Sequence, residues 1–541
     1  MRPGQIAEHR LAGVGAAVLG GVLWVLAAPP IGLWPLAWIA AAPTLWAIDR
    51  APTARRAGLL GGLTAAVFTI GGFPWIVGLL TRFGQLPGAV ATIGLLVLAA
   101  IHGVVFLLGA RLVRSLRAPS TPGSLREPSA QGERVIRKRG PLPLALCGAL
   151  GAFAVEVVGW TPFPFSLGAI ALNDVGPVRA LSAALGPAGI TALVVAAAGA
   201  LVDAATERGR RRWLPAAGVA GFALLLAVGS IRAGGGATRT IQVGVVQPNL
   251  PNDAPDSLRH RLDHLRALQQ ATAELEQRGA DLVVWSEAAY PFPLPRTLDR
   301  DLDATRAARI RRGFTIPVVI GAITTAGRDH YNSAIMVLPD DRFAGRHDKV
   351  HRMIGSEYNP ILEWFPSAAK IMPAGAGAYA GGDRAVLLEA VVDGAPVRIA
   401  ALVCLEDVMP GFGRELAALD PDLVVNVTND SWFGNHEPLQ HEALARYRPV
   451  EIGAPLVRAV NTGPSSIIDA DGRFVARTEV VEGGAPATLL ADVTIGGRRH
   501  SFYAAWGGPL GWLIAGGSIA WWLLPGLIAR FRRRTRALKA T

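Results

Sequence analysis

The chain has 541 residues, 51% hydrophobic and only 17% charged, with a mean hydropathy of +0.34, too apolar for an ordinary soluble protein of this length. The formal net charge is +12, but the basic residues form short clusters between apolar runs, not among exposed aromatics, which argues against nucleic-acid binding and for membrane topology signals. Two cysteines, Cys147 and Cys404, cannot build a disulfide framework, so each thiol is expected to be free.

Apolar stretches long enough to cross a bilayer fall at roughly 11–28, 31–48, 57–81, 87–110, 141–160, 180–203 and 214–232, with another at roughly 504–529. The expectation is a polytopic α-helical membrane domain of seven helices over 1–235, a C-terminal transmembrane helix over 504–530 and a basic cytoplasmic tail over 531–541, about eight spans together. Arg2 and Arg10 precede the first apolar core as in a secretory signal, but Pro29 and Pro30 follow and another apolar run comes at once, so a retained helix is expected. Basic residues occupy both termini and alternate connections: Arg2 and Arg10, Arg50 to Arg56, Arg111 to Arg139, Arg208 to Arg212, and Arg530 to Lys539. Positive charge marks the cytoplasmic face, which places the connections near Arg82 and Asp174, and the region after the seventh span, on the outer side. The Ser- and Pro-rich stretch 118–131 reads as a solvated linker.

From Arg239 to about Val493 the pattern changes. Thr240 to Gln247 reads as a strand stopping at Pro248 and Asn249, followed by an amphipathic helix carrying Leu262, Leu265, Leu268 and Leu275. Asp281 to Trp285, Ile316 to Gly321, Ser333 to Leu338, Val397 to Val403, Leu423 to Val427 and Ser465 to Asp469 read as further strands. Such alternation predicts an α/β layered domain over 239–495, about 250 residues, enough for its own core. On an oxidising outer face an unpaired cysteine is worth flagging as reactive.

Ile399 to Asp407 is an apolar, partly β-branched run ending in a cysteine and two carboxylates, the pattern of a buried strand delivering a thiol to a sheet edge. Two other run ends are polar: Val283 to Glu287 ends in a carboxylate, and Arg346 to Lys349 presents an ammonium. A thiol is a weak nucleophile until it loses its proton, so a desolvated carboxylate can serve as base while an ammonium favours thiolate and oxyanion. Together the three suffice for acyl transfer. Each alone has a plainer reading: Cys404 as a small buried hydrophobe, Glu287 as a solvated strand end, and Lys349 as a surface charge.

In chain order, Trp285-Ser286-Glu287, Asp348-Lys349 and Cys404-Leu405-Glu406 resemble the Glu-Lys-Cys triad of the nitrilase superfamily. With seven apolar spans before them and one after, nearly the whole chain resembles the apolipoprotein N-acyltransferases. Val246 to Asn249, Asn426 to Gly434 and Arg458 to Gly463 support the match. The resemblance implies an extramembrane α/β nitrilase-like αββα sandwich in which Glu287 is the general base, Lys349 stabilises the oxyanion and Cys404 is the nucleophile. It further implies that Glu357 supports the lysine and that the Leu405 backbone N–H is a second oxyanion donor. The implied reaction is a ping-pong N-acyl transfer at the periplasmic face of a bacterial inner membrane. A phospholipid acyl donor loads Cys404 as a thioester, and the α-amine of a diacylglyceryl-cysteine apolipoprotein receives the chain, with no metal or organic cofactor. Two departures touch the pocket: Met353 to Glu357 replaces a Pro-Phe-Gly-Glu-like run, and Leu405 stands where the family commonly has tyrosine.

Two other functions compete. A membrane-tethered nitrilase-type amidase would pass the acyl group to water, but one anchor helix would serve it. A non-catalytic lipid-binding or scaffold protein would have no use for intact Glu287, Lys349 and Cys404. His347 with His351, and His436 with His441, lack the Glu-containing zinc pattern and read as loop histidines. The irregular apolar segment 360–382 reads either as a lid dipping into the bilayer or as a loop packed on its own domain. Trp160 to Gly168 reads as a contact with the catalytic face or as an interfacial aromatic anchor.

Overall fold

The computed structural model describes residues 3–82, 84–117, 142–159, 166–207, 209–232, 235–251, 253–354, 357–359, 379–481, 483–497 and 500–538, without the side chains of 3–7, 9, 210, 211 and 524–538. The expected linker 118–131, most of the segment 360–382 and Trp160 to Phe165 lie outside the described residues.

The N-terminal apolar runs fold as helices, the form in which a chain without water satisfies its own backbone. They are α1 (Pro3–Ala27), α2 (Ala37–Arg50), α3 (Ala54–Gly72), α4 (Trp75–Arg82), α5 (Gly88–Arg117), α6 (Leu144–Val158), α7 (Leu167–Leu172), α8 (Gly176–Ala180), α9 (Ser182–Thr206) and α10 (Leu214–Gly229). Among the described residues three stretches, Arg10–Ala27, Gly88–Arg117 and Ser182–Thr206, are long and apolar enough to cross a membrane. The α3–α4 pair makes a fourth if its 59° bend lies within one span, while α6 and α10 are apolar but shorter. Two expected spans are interrupted for a visible reason. Pro35 sits in a 3-10 turn (Trp34–Leu36) that leaves α2 only 14 residues, and Pro74 stands at the α3–α4 break, where it cannot continue the hydrogen-bond ladder. Helices α3 and α5 approach closely through glycine, since a Cβ on Gly61 would meet Ala110 Cβ at 2.4 Å.

The α/β part contains two sheets. Its elements run β1 (Thr238–Gln247), α11 (Leu258–Gln277), β2 (Leu282–Trp285), β3 (Tyr290–Pro295), β4 (Val318–Ala326), β5 (Asp329–Val337), β6 (Phe343–Asp348), β7 (Leu387–Val392), β8 (Ala395–Val403), α12 (Pro410–Ala418), β9 (Leu423–Thr428), α13 (Glu437–Ala445), α14 (Tyr447–Ile452), β10 (Leu456–Val460), β11 (Ser466–Ile468), β12 (Phe474–Arg477) and β13 (Ala487–Gly496). A last helix, α15 (Phe502–Leu538), follows. The seven-stranded sheet has the order β13-β1-β2-β4-β5-β6 with β3 also on β4, and the six-stranded sheet the order β12-β11-β10-β9-β8-β7.

Side-chain alternation explains the layers. Ile399, Ala401 and Val403 of β8 join Val243, Val245 and Val284 of the other sheet in one core between the sheets. The intervening Ala400 and Leu402 face outward onto Phe412 and Leu416 of α12. On the opposite side Val246, Val283 and Trp285 pack on Leu265, Leu268 and Leu275 of α11. Strands β1, β2 and β4 run parallel, as do β8, β9 and β10.

The α/β part is fastened to the helices by buried polar contacts. Gln440 of α13 accepts from Trp75 Nε1 at 3.0 Å and donates to the Pro29 and Gly72 carbonyls at 2.9 and 2.8 Å. Tyr447 donates to Ala169 O at 2.8 Å, and Arg446 pairs with Asn173 and Asp174. Gln440→Leu keeps the bulk but strands an indole N–H and two carbonyls, a loss of about 1–3 kcal/mol. A lower thermal midpoint for the purified variant is the expected result, checked by following unfolding of the detergent-solubilised protein.

Candidate active site

The carboxyl ends of β2, β6 and β8 converge. Glu287 lies two residues beyond β2, Lys349 directly follows β6, and Cys404 directly follows β8. All three line one cavity of about 300 Å³ together with Asn332, Glu357, Tyr379, Asn429 and Trp432. The solvated readings of the two charged residues are corrected, since Glu287 is 8% and Lys349 2% exposed. Cys404 is buried as well, so burial and reactivity are not alternatives here. Cys147 is also buried, within α6.

Lys349 Nζ lies 2.7 Å from Glu357 Oε2 and 3.8 Å from Glu287 Oε1. Asn332 Nδ2 donates to both carboxylates, reaching Glu357 Oε1 at 3.0 Å, and the Asn332 carbonyl accepts the Lys349 backbone N–H at 2.8 Å. Glu357 Oε2 also accepts from Met353 N–H at 2.8 Å, closing the departing Met353–Glu357 run back onto the lysine's partner. Gly355 and Ser356 in that run lie outside the described residues.

The electrostatics follow from burial. Desolvation lifts Glu287 to about 7, with Lys349 opposing the rise and Glu357 adding to it. Desolvation works against the Lys349 ammonium, but Cys404 once it is a thiolate, with Glu357 and Glu287, outweighs it and holds the group above the ordinary lysine value. Desolvation and Glu287 push the Cys404 thiol well up, only partly offset by Lys349. The site therefore holds a protonated thiol, a fixed cation and a carboxylate able to take a proton near neutrality.

Cys404 also occupies a left-handed backbone conformation, φ +55°, which costs a non-glycine residue on the order of 1–3 kcal/mol and persists only where the surroundings enforce it. The enforcing groups are the two carboxylates that follow. Glu406 accepts from Val403 N–H at 2.8 Å, Val350 N–H at 2.7 Å and His351 N–H at 3.0 Å, and its other neighbour is His347 Nε2 at 3.0 Å. Burial opposes its ionisation, but His347 and these N–H groups outweigh burial and hold it below the usual carboxylate range. Asp407 binds His441 Nε2 at 2.7 Å, Arg458 Nε at 2.9 Å and the Asn426 amide, which also donates to Cys404 O at 3.3 Å. His347 on β6 and His441 on α13 are thus buried structural partners and not loop histidines.

Asp430, Glu437 and His441 bring ligand atoms within 4.8 Å of one another. The cluster is already balanced in another way. Asp407, Asp430 and Glu437 face His441 and Arg458, and burial together with Asp430 lifts Glu437 well above its usual range. A proton on Glu437 leaves the group neutral, whereas a divalent cation would stand beside the Arg458 guanidinium. The donor set fits a charge network better than a metal centre.

The helices contribute to the site. Leu79 of α4 lines the thiol cavity, and Trp75 packs edge-on against Phe433 with ring centroids 5.5 Å apart. Met353 also borders a second cavity of about 600 Å³, walled by Leu405, Arg352 and Arg448 and by Phe106 of α5, Val155 of α6 and Pro187 of α9.

Residues 20–200 match the model of the apolipoprotein N-acyltransferase N-terminal domain, and residues 242–499 that of the carbon-nitrogen hydrolases. An apolipoprotein N-acyltransferase of Geobacter metallireducens is 30% identical over 522 residues, 93% of each chain. The chain belongs to the apolipoprotein N-acyltransferase family. A relative of the same name from Ralstonia nicotianae is 30% identical, covering 90% of this chain and 88% of its own. Among solved structures, a Nesterenkonia amidase of the nitrilase superfamily aligns over 51% of this chain and 95% of its own, with 18% identity and a TM-score of 0.35. As a family member the chain is an enzyme, and the non-catalytic scaffold reading is set aside.

Gly321 of β4 lies under the Glu287 turn, where an added Cβ would come within 2.2 Å of Ser286 O and 2.7 Å of Glu287 Cα. Gly321→Ala should therefore displace the carboxylate by a fraction of an ångström to an ångström and slow acyl transfer by about 10²-fold. Steady-state rates alongside an unchanged elution profile for the solubilised protein check this.

Proposed function

We propose that the enzyme moves an acyl chain from a glycerophospholipid to Cys404 and then to the α-amine of the diacylglyceryl-cysteine of an apolipoprotein. The observation that carries this reading is the cavity itself. Glu287, Lys349 and Cys404 share it with Leu79 of the helical part, and through Met353 it adjoins a cavity lined in part by α5, α6 and α9. A thiol serving lipid esters needs such access, because acyl chains must reach it without leaving an apolar environment.

In the first step Cys404 Sγ attacks the ester carbonyl while Glu287 takes the thiol proton. Lys349 and the Leu405 backbone N–H hold the developing oxyanion, with Glu357 steadying the lysine. Collapse expels the lysophospholipid alkoxide, which receives the proton from Glu287, and leaves a thioester. In the second step the acceptor amine attacks that thioester, gives a proton to Glu287, and Cys404 leaves as the thiol. No step requires a metal or organic cofactor.

The membrane arrangement that goes with this chemistry has about eight spans, seven within 1–235 and one within 504–530. The catalytic domain, 239–495, lies on the periplasmic side of a bacterial inner membrane and the basic tail, 531–541, in the cytoplasm. Support comes from the alternation of arginine- and lysine-rich connections with connections that lack them.

Incubating the purified enzyme with phospholipid should add one acyl mass to the wild type and none to Cys404→Ala. No adduct, or the same adduct on the variant, would sink the mechanism, and release of the adduct to water as readily as to a lipopeptide amine would favour the amidase. Because raised Glu287 is protonated below about 7, the loading rate should climb about tenfold per pH unit below that value and level off above it. A pH-independent rate between 5 and 8 would remove Glu287 from the role of base. Separately, a reporter fused near Arg239 should be active only in the periplasm, and cytoplasmic activity would overturn the orientation.

A further inference from the structure

The thiol cavity continues in a second direction, away from the helices. A groove of about 410 Å³ shares Ala288, Ile323, Asn429 and Trp432 with it, and among the described residues that line the groove none comes from α1 to α10. Its walls come from the segment after β1, the start of α11 and strand β3.

We propose that this groove holds the polypeptide of the acceptor, the residues that follow its acylated cysteine. The inference rests on the acyl-transfer reading above. An acceptor amine poised at Cys404 carries diacylglyceryl chains and a polar polypeptide on the same residue, and the two need opposite surroundings. The cavity beyond Met353 takes part of its wall from α5, α6 and α9 and the rest, Arg352 and Arg448 included, from the α/β part; its contact with the apolar helices suits the lipid, which leaves the groove beyond Trp432 for the polypeptide.

The groove's chemistry agrees with that division. Pro251, Pro255, Pro291 and Pro293 line it together with Tyr290 and Phe292. Proline and aromatic faces give flat apolar contact to an extended main chain. The proline positions also carry no N–H donors that would need partners of their own. The one charged pair among the described lining residues, Asp256 with Arg261, is closed on itself at 2.5 Å, so the groove selects for main chain and shape and not for a charged sequence.

The groove is also built firmly. Asn461 accepts from Leu250 N–H at 3.0 Å and donates to Leu250 O at 2.8 Å, tying one wall to β10. His264 Nε2 sits 2.9 Å from Ala289 O and ties α11 to the turn that carries Glu287. At the junction of groove and thiol cavity, Asn429 Oδ1 accepts from Asn461 Nδ2 at 3.1 Å and from Ser431 Oγ at 2.6 Å.

Ala254 lines the groove and is part-buried, so Ala254→Trp fills it, while Phe292→Ala removes part of its wall. Two acceptors separate the effects: a diacylglyceryl-cysteine amide with no further residues, and the same headgroup followed by a ten-residue peptide. For the full-length enzyme preloaded on Cys404, each variant should lower kcat/KM for the long acceptor by about tenfold, chiefly through KM, and spare the short one. Equal losses with both acceptors, or no loss with either, would overturn the groove assignment. A loss in thioester loading matching that in transfer would give the groove to the phospholipid donor instead. If the wild type forms no thioester, the failure lies with the acyl-transfer reading and shows before any variant is compared.

Discussion

The Glu406 carboxylate is the pin on which the site turns. Fully buried in the turn after β8, it accepts from Val403 on the strand that delivers the nucleophile and from Val350 and His351 just past the lysine. One side chain thereby sets the spacing between Lys349 and Cys404, which follow strands of different sheets. An ionised carboxylate at that depth is tolerable only because its oxygens are shared among several donors, and removing any of them would leave an uncompensated buried charge. Asp407 does the same on the other side, binding His441, Arg458 and Asn426 and so holding the strained turn at Cys404 in place. The nucleophile is presented by a backbone conformation that two consecutive acids enforce.

Much of this is legible in the sequence. Buried strands announce themselves as apolar runs, and the runs ending at Trp285 and Val403 became β2 and β8 with their polar termini in one cavity. Three of the strands that the sequence does not announce, β3, β6 and β13, show why. Strand β3 reads Tyr-Pro-Phe-Pro-Leu-Pro, and its prolines argue against a strand unless it sits at an edge. Strand β6 is short and polar toward its end, and β13 is half-exposed along most of its length, so neither shows the strong alternation that marks a buried face. Glu406 and Asp407 were visible as residues but not as anchors, because their partners lie at least some fifty positions away in the case of His347 and Arg458. Sequence spacing carries no information about such pairs.

The same limit explains the helices. Hydropathy marks where apolar chain occurs but does not say where it breaks, and Pro35 and Pro74 break two of the expected spans. The break at Pro74 has a structural use. It turns α4 away from the axis of α3 and brings Trp75 to Gln440 and Phe433 and Leu79 to the thiol cavity.

That wall has a consequence for how the enzyme can fail. Because Leu79 belongs to the helical layer, the cavity around Cys404 is closed on that side only while the layer stays docked on the α/β part. Undocking would leave Glu287, Lys349, Cys404 and their hydrogen bonds untouched and still remove one side of the enclosure. A preparation could then be fully folded by every spectroscopic measure, with a titratable thiol, and yet be inert, its defect being a missing neighbour and not a missing residue. The surrounding amphiphile, by holding the two parts together or prising them apart, becomes in effect a component of the catalyst.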